Sequence, residues 1–379
     1  MERVHEFCAV RRFGGLPRPL RSAAGAAFAG LRACRRPLDT VRSVSAAGAR
    51  VRQQCGKSLP RQLAEQLWLA GSRGISPRDY YYLGLFLDRR RQVADAFLYQ
   101  HEVGPLLLGL GQPDMQLVDD KLRFATHCAS AGLPVAPTLA VFRDGRLESP
   151  QGWEPPGEDV LVKPVRGSHG RAVTVFRSVA NDRFRDGTDR ELDRSALVTT
   201  LAARSVLAPL LVQPLLRPDA ALADLANGAL ITVRIVTVMT TAGDPVHVLS
   251  VLKMPLGARD SDNLGLASPV SEDEGRLGRA LSYRLACEGF DHHPDTGAAI
   301  TGRLVPQWPA ARDLALRAHA HFPGFFALGW DVALTREGPL LLEANAGWDT
   351  GTVQRPHDRP LGHTRFAALA AARIAAVSA

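Results

Sequence analysis

One pair of apolar β-runs near the carboxyl end of the chain constrains its fold most. The runs 327–334 and 340–343 flank Glu337-Gly338, which favours a tight turn, so they predict an antiparallel hairpin. The hairpin carries two carboxylates and one carboxamide, on Asp331, Glu343 and Asn345. These groups offer the hard oxygen ligands that Mg²⁺ takes together with water and phosphate oxygens. Each carboxylate alone is better explained as a strand-edge charge or a turn, but together they predict a metal-nucleotide site.

The rest of the chain alternates between helical and β-rich patterns. Helical spacing of apolar residues predicts helices over 61–71, 77–98, 119–131, 194–203, 310–321 and 365–377. Runs rich in β-branched residues predict strands over 135–142, 159–163, 172–176, 207–213, 229–240 and 246–254. The region 260–309 is rich in Asp, Gly, Pro and Ser, so it predicts a long loop with one helix over 277–288.

The composition, with 46% apolar and 22% charged residues, is that of a soluble protein with a sizeable core. No run approaches the ~18 uninterrupted apolar residues that a membrane-spanning helix needs, so no transmembrane segment is expected. The five scattered cysteines include no CxxC pair, which argues against a disulfide framework and a zinc knuckle. We therefore expect a reducing, cytoplasmic location.

Positive charge is concentrated at the amino end. Residues 1–61 hold twelve arginines and one lysine against three acidic residues, an excess larger than the whole chain's net charge of +8. The remaining chain is therefore close to neutral, and no nucleic-acid partner is expected. We interpret the basic segment as a poorly ordered, arginine-rich extension, with a targeting sequence or a membrane-surface contact as alternatives.

Lysine is rare in this arginine-rich chain. The four lysines are Lys57, Lys121, Lys163 and Lys253. A lysine kept in such a background is a candidate for a compact point charge against a phosphate, although chance explains any single one. Lys163 ends a predicted strand just before the glycine-bearing segment 164–171, which is either a surface hairpin or a loop whose N–H groups approach phosphate oxygens.

Arg234 interrupts the otherwise uncharged β-run 229–240. A buried arginine needs an anionic partner, which is either a structural carboxylate or a phosphate. The adjacent histidines His292 and His293 lack a third spaced ligand, so they do not predict a zinc site.

From about Pro77 to its end, the chain resembles the ATP-grasp superfamily and, within it, the sugar-transfer-associated branch. The resemblance is carried by the segments Gly329-Trp-Asp331, Glu343-Ala-Asn345, Ile75-Ser-Pro-Arg-Asp-Tyr80, Thr232-Val-Arg-Ile-Val-Thr237, Asp262-Asn263 and His292-His-Pro-Asp-Thr-Gly297. It implies an α+β, ATP-grasp fold in which two α+β subdomains clasp ATP, with a smaller N-terminal domain and a helical N-terminal extension. The expected parts are a basic, poorly ordered or loosely helical leader (1–60), a helical region (61–118), an N-terminal ATP-grasp part with the phosphate-covering loop (119–206) and a C-terminal part with the metal site (207–379).

The resemblance also implies roles for individual residues. Two Mg²⁺ ions, or Mn²⁺, are expected on Asp331, Glu343 and Asn345. Nucleotide-binding residues are expected at Lys121, Lys163, Gly167, Ser168 and Gly170, and at Gln213 and Leu216 in the adenine-holding hinge, where Gln213 replaces a glutamate of many relatives. Arg234, Lys253 and Asn263 are expected at the transferred phosphoryl group, and His293 and Asp295 at the acceptor pocket.

The implied activity is that of an ATP-dependent carboxylate–amine ligase. It would phosphorylate a small carboxylate to an acyl phosphate, let an amine displace phosphate to form an amide or peptide bond, and release ADP. The branch indicates secondary-metabolite or glycoconjugate biosynthesis. The alternatives are a nucleotide-binding regulatory or scaffold protein without turnover, and a nucleic-acid or membrane-surface protein acting through the basic leader. The sequence predicts no oligomeric state.

Overall fold

The computed structural model describes residues 1–11, 37–167, 173–179, 182–257, 265–283 and 289–378. These residues form two antiparallel β-sheets with helices packed against them, which confirms the α+β prediction. Within these ranges, none of the helices combines the length and the apolar character needed to cross a membrane.

The first sheet lies in the middle of the chain. Its strands are β1 (Ala140–Arg143), β2 (Arg146–Ser149), β3 (Val160–Pro164), β4 (Thr174–Val179), β5 (Arg183–Arg185), β6 (Glu191–Asp193) and β7 (Leu210–Pro214), in the order β2-β1-β7-β3-β4-β5-β6. The helix Arg194–Ser205 packs on this sheet and buries Leu197 and Leu201. Asp193 accepts a hydrogen bond from the Ala196 N–H and so caps the start of this helix.

The second sheet contains the predicted hairpin. Its strands are β8 (Thr232–Met239), β9 (Pro245–Met254), β10 (Leu266–Val270), β11 (Leu281–Ser282), β12 (Ala327–Thr335) and β13 (Gly338–Asn345), in the order β11-β10-β9-β8-β12-β13. β12 thus lies between β8 and β13, and its Asp331 pairs with Arg234 on one side and Glu343 on the other. The helix Trp308–Ala320 packs on the sheet and joins the largest hydrophobic core.

The amino-terminal region is helical. Its helices are Glu2–Arg11, 37–43, Ala49–Cys55, Leu59–Arg73, Pro77–Tyr82, Asp88–Gln92 and Gln100–Gly109, with a π-helical segment at Val44–Gly48. Shorter helices at Gln116–Asp119, Ala223–Ala226 and Thr350–Gln354, the helix Lys121–Ser130 and the final helix Arg365–Ser378 complete the set. Val4 and Cys8 of the first helix are buried in a hydrophobic cluster with Phe366 of the last helix. The first helix therefore packs on the body of the protein.

Two predicted helices differ in the structure. The one expected over 77–98 is divided, because Gly84 adopts a left-handed φ of 70° that ends the first segment. The one expected over 277–288 is wrong in its described part. There Leu277 and Ala280 form antiparallel bridges and β11 pairs with β10, so the apolar residues are buried in extended chain.

The cysteines also depart from the expectation. Among the described residues, Cys8 and Cys128 are buried thiols outside any disulfide, whereas Cys55 is disulfide-bonded. The scattered spacing of the cysteines did not indicate this bond.

Lys57 lies in the amino-terminal helical region, just before the helix Leu59–Arg73. Its Nζ is 2.9 Å from Glu65 Oε1 and 2.8 Å from Asp88 Oδ1. Its ammonium is thus part of a structural ion network, so the rarity of lysine does not by itself mark a phosphate site.

Candidate functional site

Asp331 lies at the centre of a buried ion cluster that spans β8, β9 and β12. Arg234 Nε is 2.6 Å from Asp331 Oδ1, and Arg234 Nη2 is 2.8 Å from Oδ2. Lys253 Nζ is 3.2 Å from the same Oδ2. All three side chains are buried, so both carboxylate oxygens are contacted by cations away from bulk water.

The cluster stays ionised because its charges compensate one another. Burial alone would raise the pKa of Asp331, but Arg234 and Lys253 hold that pKa well below the usual range of an aspartate. Burial would likewise lower the pKa of Arg234, and the charge of Asp331 raises it above the ordinary value. The anionic partner that the sequence required for Arg234 is therefore a carboxylate, and it is the predicted metal ligand itself.

Glu343 and Asn345 lie on β13 beside this cluster, and both are half-buried. Asn345 Nδ2 donates to Glu343 Oε1 at 3.2 Å, which leaves the carboxamide oxygen as a further ligand atom. The described residues contain no cluster of three or more His, Cys, Asp or Glu side chains able to hold a metal ion. The set found here instead combines two carboxylates with a carboxamide, a donor chemistry that fits Mg²⁺.

Gly329 provides the space that the ion cluster occupies. A Cβ at this position would lie 2.7 Å from Trp348 Cβ and 3.1 Å from Arg234 Cδ. We expect Gly329→Ala to displace Arg234 and to lower the free energy of unfolding by roughly 1–3 kcal/mol, measured by urea denaturation. Gly347→Ala is the matched control, because its Cβ meets nothing within 4 Å. Equal losses in the two variants would show that crowding at position 329 is unimportant.

Lys163 and Lys121 lie on the first sheet's side of the site. Burial lowers the pKa of Lys163 to about 8, with Glu343 opposing the shift and Lys121 adding to it. Lys121 Nζ donates to the Gly167 carbonyl at 2.6 Å, and its backbone N–H donates to Val165 O at 3.0 Å. The first residue of the helix Lys121–Ser130 is thereby tied to the segment that follows β3. The structure thus groups two lysines and Gly167 near Glu343.

The predicted hinge residues have backbone-directed contacts. Gln213 is buried on β7, and its Nε2 donates to Ala136 O at 3.2 Å. Leu216 is half-buried in the segment after β7, and the preceding Leu215 N–H donates to Asp159 O at 3.0 Å. A base-binding role for Gln213 and Leu216 stays a prediction.

His293 and Asp295 hold the chain that follows β9. His293 is buried with Nε2 2.9 Å from Pro255 O, and Asp295 Oδ2 accepts from the Gly257 N–H at 2.7 Å. In this structure, both side chains position that turn, and their contact with a substrate stays a prediction. Three other predicted residues, Ser168, Gly170 and Asn263, lie outside the described residues.

Five polar residues that the sequence did not single out form a connected group that reaches the ion cluster through Tyr283: Tyr82, Tyr283, Asp349, Thr352 and Arg355. Burial raises the pKa of Tyr283, while the charges of Lys253 and Arg234 act to lower it. Tyr82 donates a short hydrogen bond to Asp349 Oδ1, which also accepts from the Thr352 N–H at 2.7 Å. The segment Asp349-Thr-Gly-Thr352 begins a helix directly after the Glu-x-Asn strand, and this N-cap pattern was the one available signal.

A family comparison covers the part of the chain that contains this site. The sequence model described as "Sugar-transfer associated ATP-grasp" matches residues 112–366, well over half of the chain. The chain belongs to this ATP-grasp family. The match includes both β-sheets and the ion cluster, whereas the helical residues before position 112 lie outside it. A comparison with curated proteins found no match.

Solved structures with some similarity to this ATP-grasp protein are distant. An L-amino acid ligase from Bacillus licheniformis is 13% identical, with 61% of this chain and 41% of that chain covered at a TM-score of 0.35. The D-alanine-D-alanine ligase from Coxiella burnetii is 12% identical, with 69% of this chain and 59% of that chain covered at a TM-score of 0.39. The ATP-grasp ligase PsnB, complexed with a phosphomimetic variant of its minimal precursor, Mg and ADP, is 18% identical. The similarity covers 79% of this chain and 72% of that chain at a TM-score of 0.37. The chain thus spans about two fifths of the first of these proteins.

Proposed function

We propose that this ATP-grasp protein binds ATP with Mg²⁺ and acts as an ATP-dependent carboxylate–amine ligase. The observation that carries the proposal is the arrangement of Glu343 and Asn345 beside the Arg234–Asp331–Lys253 cluster. Oxygen ligands for a cation and fixed positive charges for a phosphoryl group are thereby adjacent. Phosphoryl transfer is catalysed largely by such positioning and charge compensation.

The metal would be held by Glu343, Asn345 and Asp331. Asp331 Oδ2 accepts from both Arg234 and Lys253, whereas Oδ1 accepts from Arg234 and keeps a second lone pair, so Asp331 can complete the set through Oδ1. Bound Mg²⁺ would offset negative charge between the terminal phosphates. Asp331 would also hold Arg234 and Lys253 in fixed positions.

The protein side chains would act by orientation and charge. Lys121 and Lys163 contact phosphates, and Arg234 and Lys253 face the transferred group. A substrate carboxylate oxygen bonds to the γ-phosphorus as the bond to the β,γ-bridging oxygen breaks, giving an acyl phosphate and ADP. An amine then bonds to the acyl carbon, phosphate leaves, and the amine loses a proton. This sequence needs no covalent nucleophile from the protein.

Product analysis tests the proposal. The pure protein is incubated with ATP, Mg²⁺ and pooled amino acids and sugar acids, and nucleotides and condensation products are quantified by mass spectrometry. We expect ADP and phosphate in step with a product that has lost one water relative to its two precursors. AMP and pyrophosphate would contradict the acyl-phosphate route, and ATP binding without turnover would favour a regulatory protein.

The pKa of Lys163 predicts a pH dependence of ATP binding. With its pKa lowered to about 8 by burial, Lys163 is largely protonated at pH 7 and largely neutral at pH 9. ATP affinity is therefore expected to fall by about tenfold over this range, as one phosphate contact loses its charge. Calorimetric titration at both pH values measures the change. Lys163→Arg keeps its charge throughout, so a pH dependence that persists in this variant would assign the effect to another group.

A further inference from the structure

A buried arginine without a hydrogen-bonded acidic partner lies near the proposed reaction centre. Arg355 is 6% exposed, and its Nε has no hydrogen-bond partner among the residues that the structure describes. Its Nη2 donates to a neutral group, the Ser282 carbonyl, at 3.4 Å. Burial lowers the pKa of Arg355 to about 10, a value at which the guanidinium is still charged at neutral pH. A charge buried in this way destabilises a protein unless a ligand compensates it.

The neighbouring Arg90, in contrast, has a carboxylate partner that compensates its charge. Arg90 is also buried, but its Nε is 2.6 Å from Asp358 Oδ1, and its Nη2 donates to the Arg355 backbone carbonyl at 2.8 Å. Asp358 therefore neutralises Arg90 and not Arg355. Asp349 acts on the charge of Arg355 electrostatically but accepts no hydrogen bond from its Nε, so the less compensated charge of this pair is that of Arg355.

Arg355 lines a small, partly open cavity together with Tyr82, Tyr283 and Thr352. The Thr352 hydroxyl is buried next to Tyr283 and, like Arg355 Nε, makes no hydrogen bond of normal geometry within the described part of the chain. A guanidinium and a hydroxyl that both lack a well-formed hydrogen bond at one cavity provide donors that an anion requires.

This cavity adjoins the ion cluster. Tyr283 lines the cavity and experiences the charges of Lys253 and Arg234. Ala267, also in the lining, pairs with Lys253 across β9 and β10. A ligand group at Arg355 would therefore lie beside the cations assigned to phosphoryl transfer.

The helical amino-terminal region forms one wall of the cavity. Tyr82 packs so closely on the backbone of Gly351 that a Cβ there would lie 2.6 Å from Tyr82 Cζ. Tyr82 precedes the family match, which begins at residue 112. The wall is thus supplied by a region outside the shared ATP-grasp segment.

We propose that Arg355 and Thr352 bind a carboxylate of the substrate that is not itself activated. The inference rests on the proposed ligase function, and it limits the substrates to a dicarboxylic donor or an amino-acid acceptor. One guanidinium with a neutral hydroxyl and tyrosine side chains matches a monoanion better than a phosphate dianion.

Thermal denaturation of the full chain without ATP tests this subsite, so its result is independent of turnover. The probes are sodium succinate and glycine, with sodium phosphate and sodium chloride at equal ionic strength as references. We expect succinate or glycine to raise the melting temperature of the wild type, with succinate alone indicating a donor and glycine alone an acceptor. No rise with either probe, or an equal rise with phosphate, would overturn the proposal.

Variants separate ligand binding from a structural role. Thr352→Val removes the hydroxyl at nearly constant volume, and Arg355→Lys keeps the charge but loses the planar fork. Both substitutions are expected to weaken binding of the carboxylate probe by about tenfold, while the protein still folds. Arg355→Met is expected to be at least as stable as the wild type and to lose the shift. The exposed Arg359→Met is the control and should keep it. A destabilised Arg355→Met, or an unchanged shift in Thr352→Val and Arg355→Lys, would contradict the assignment.

Discussion

Glu343→Gln is expected to reduce ADP formation by about a thousandfold or more, equivalent to roughly 4 kcal/mol of lost transition-state stabilisation. The substitution keeps the side-chain volume and an oxygen that accepts from Asn345 Nδ2, but it removes one negative charge from the proposed metal set. Glu343 is half-buried at the end of β13, so the free energy of unfolding should change little. ADP release under conditions that support wild-type turnover, with urea denaturation alongside, measures both quantities.

Glu337→Gln is the matched control for this variant. Glu337 lies exposed in the turn of the same hairpin, away from the ion cluster. It is expected to retain wild-type ADP formation. A Glu343→Gln protein that releases ADP as fast as Glu337→Gln would exclude a metal-binding role for Glu343.

Asp331→Asn is expected to lower the free energy of unfolding by about 3–5 kcal/mol. The substitution leaves Arg234 and Lys253 buried without the charge that compensates them. Since the folded-state pKa of Asp331 lies below its usual range, the carboxylate stabilises the fold above about pH 4 and loses this effect as the pH falls further. Urea denaturation of wild type and variant at pH 7 measures the difference.

A triple variant controls for the loss of fold in Asp331→Asn. Replacing Arg234 and Lys253 by Met and Asp331 by Leu removes all three charges, and a buried ion cluster replaced by apolar groups is often no less stable. The triple variant is therefore expected to recover most of the stability without recovering activity. Wild-type stability in Asp331→Asn alone would mean that the cluster's charges are not coupled as the structure indicates.

The β12–β13 hairpin was predictable from the sequence because its determinants are local. Apolar runs, a Glu-Gly turn and the polar positions within each strand all lie within twenty residues. A register shift between Asp331 and Val332 places Asp331 opposite Glu343, whereas an unshifted hairpin would pair it with Leu342, and this shift was not predictable from the pattern. The family resemblance rested on the same segment, and the match over residues 112–366 confirms it.

The partners of Arg234 could not be predicted from the sequence, because they depend on the order of the strands in the sheet. Arg234 and Asp331 are separated by 97 residues, and their contact exists because β8 pairs with β12. The sequence required only that some anion be present. For the same reason, it gave no sign that Asp331 serves both a cation pair and the proposed metal.

The cavity residues were missed because several elements contribute them. Tyr82 comes from the helical region, Tyr283 follows β11, and Arg355 follows the short helix Thr350–Gln354. A tyrosine or arginine carries no local pattern that distinguishes a cavity wall from a surface. The helix expected over 277–288 was wrong in its described part for a different reason, because a short apolar run fits extended chain as well as a helix, and Leu277 and Ala280 bridge to Val270 and Phe290.

The Mg²⁺ dependence of ATP binding tests whether Glu343 and Asn345 belong to a metal-nucleotide site. ATP is titrated calorimetrically into the wild type in the presence of Mg²⁺ and in the presence of EDTA, and the comparison is repeated with Glu343→Gln combined with Asn345→Ala. We expect Mg²⁺ to strengthen ATP binding in the wild type and this gain to disappear in the double variant. Equal ATP affinity with and without Mg²⁺ in the wild type, or an undiminished gain in the double variant, would contradict a metal-nucleotide site at these residues.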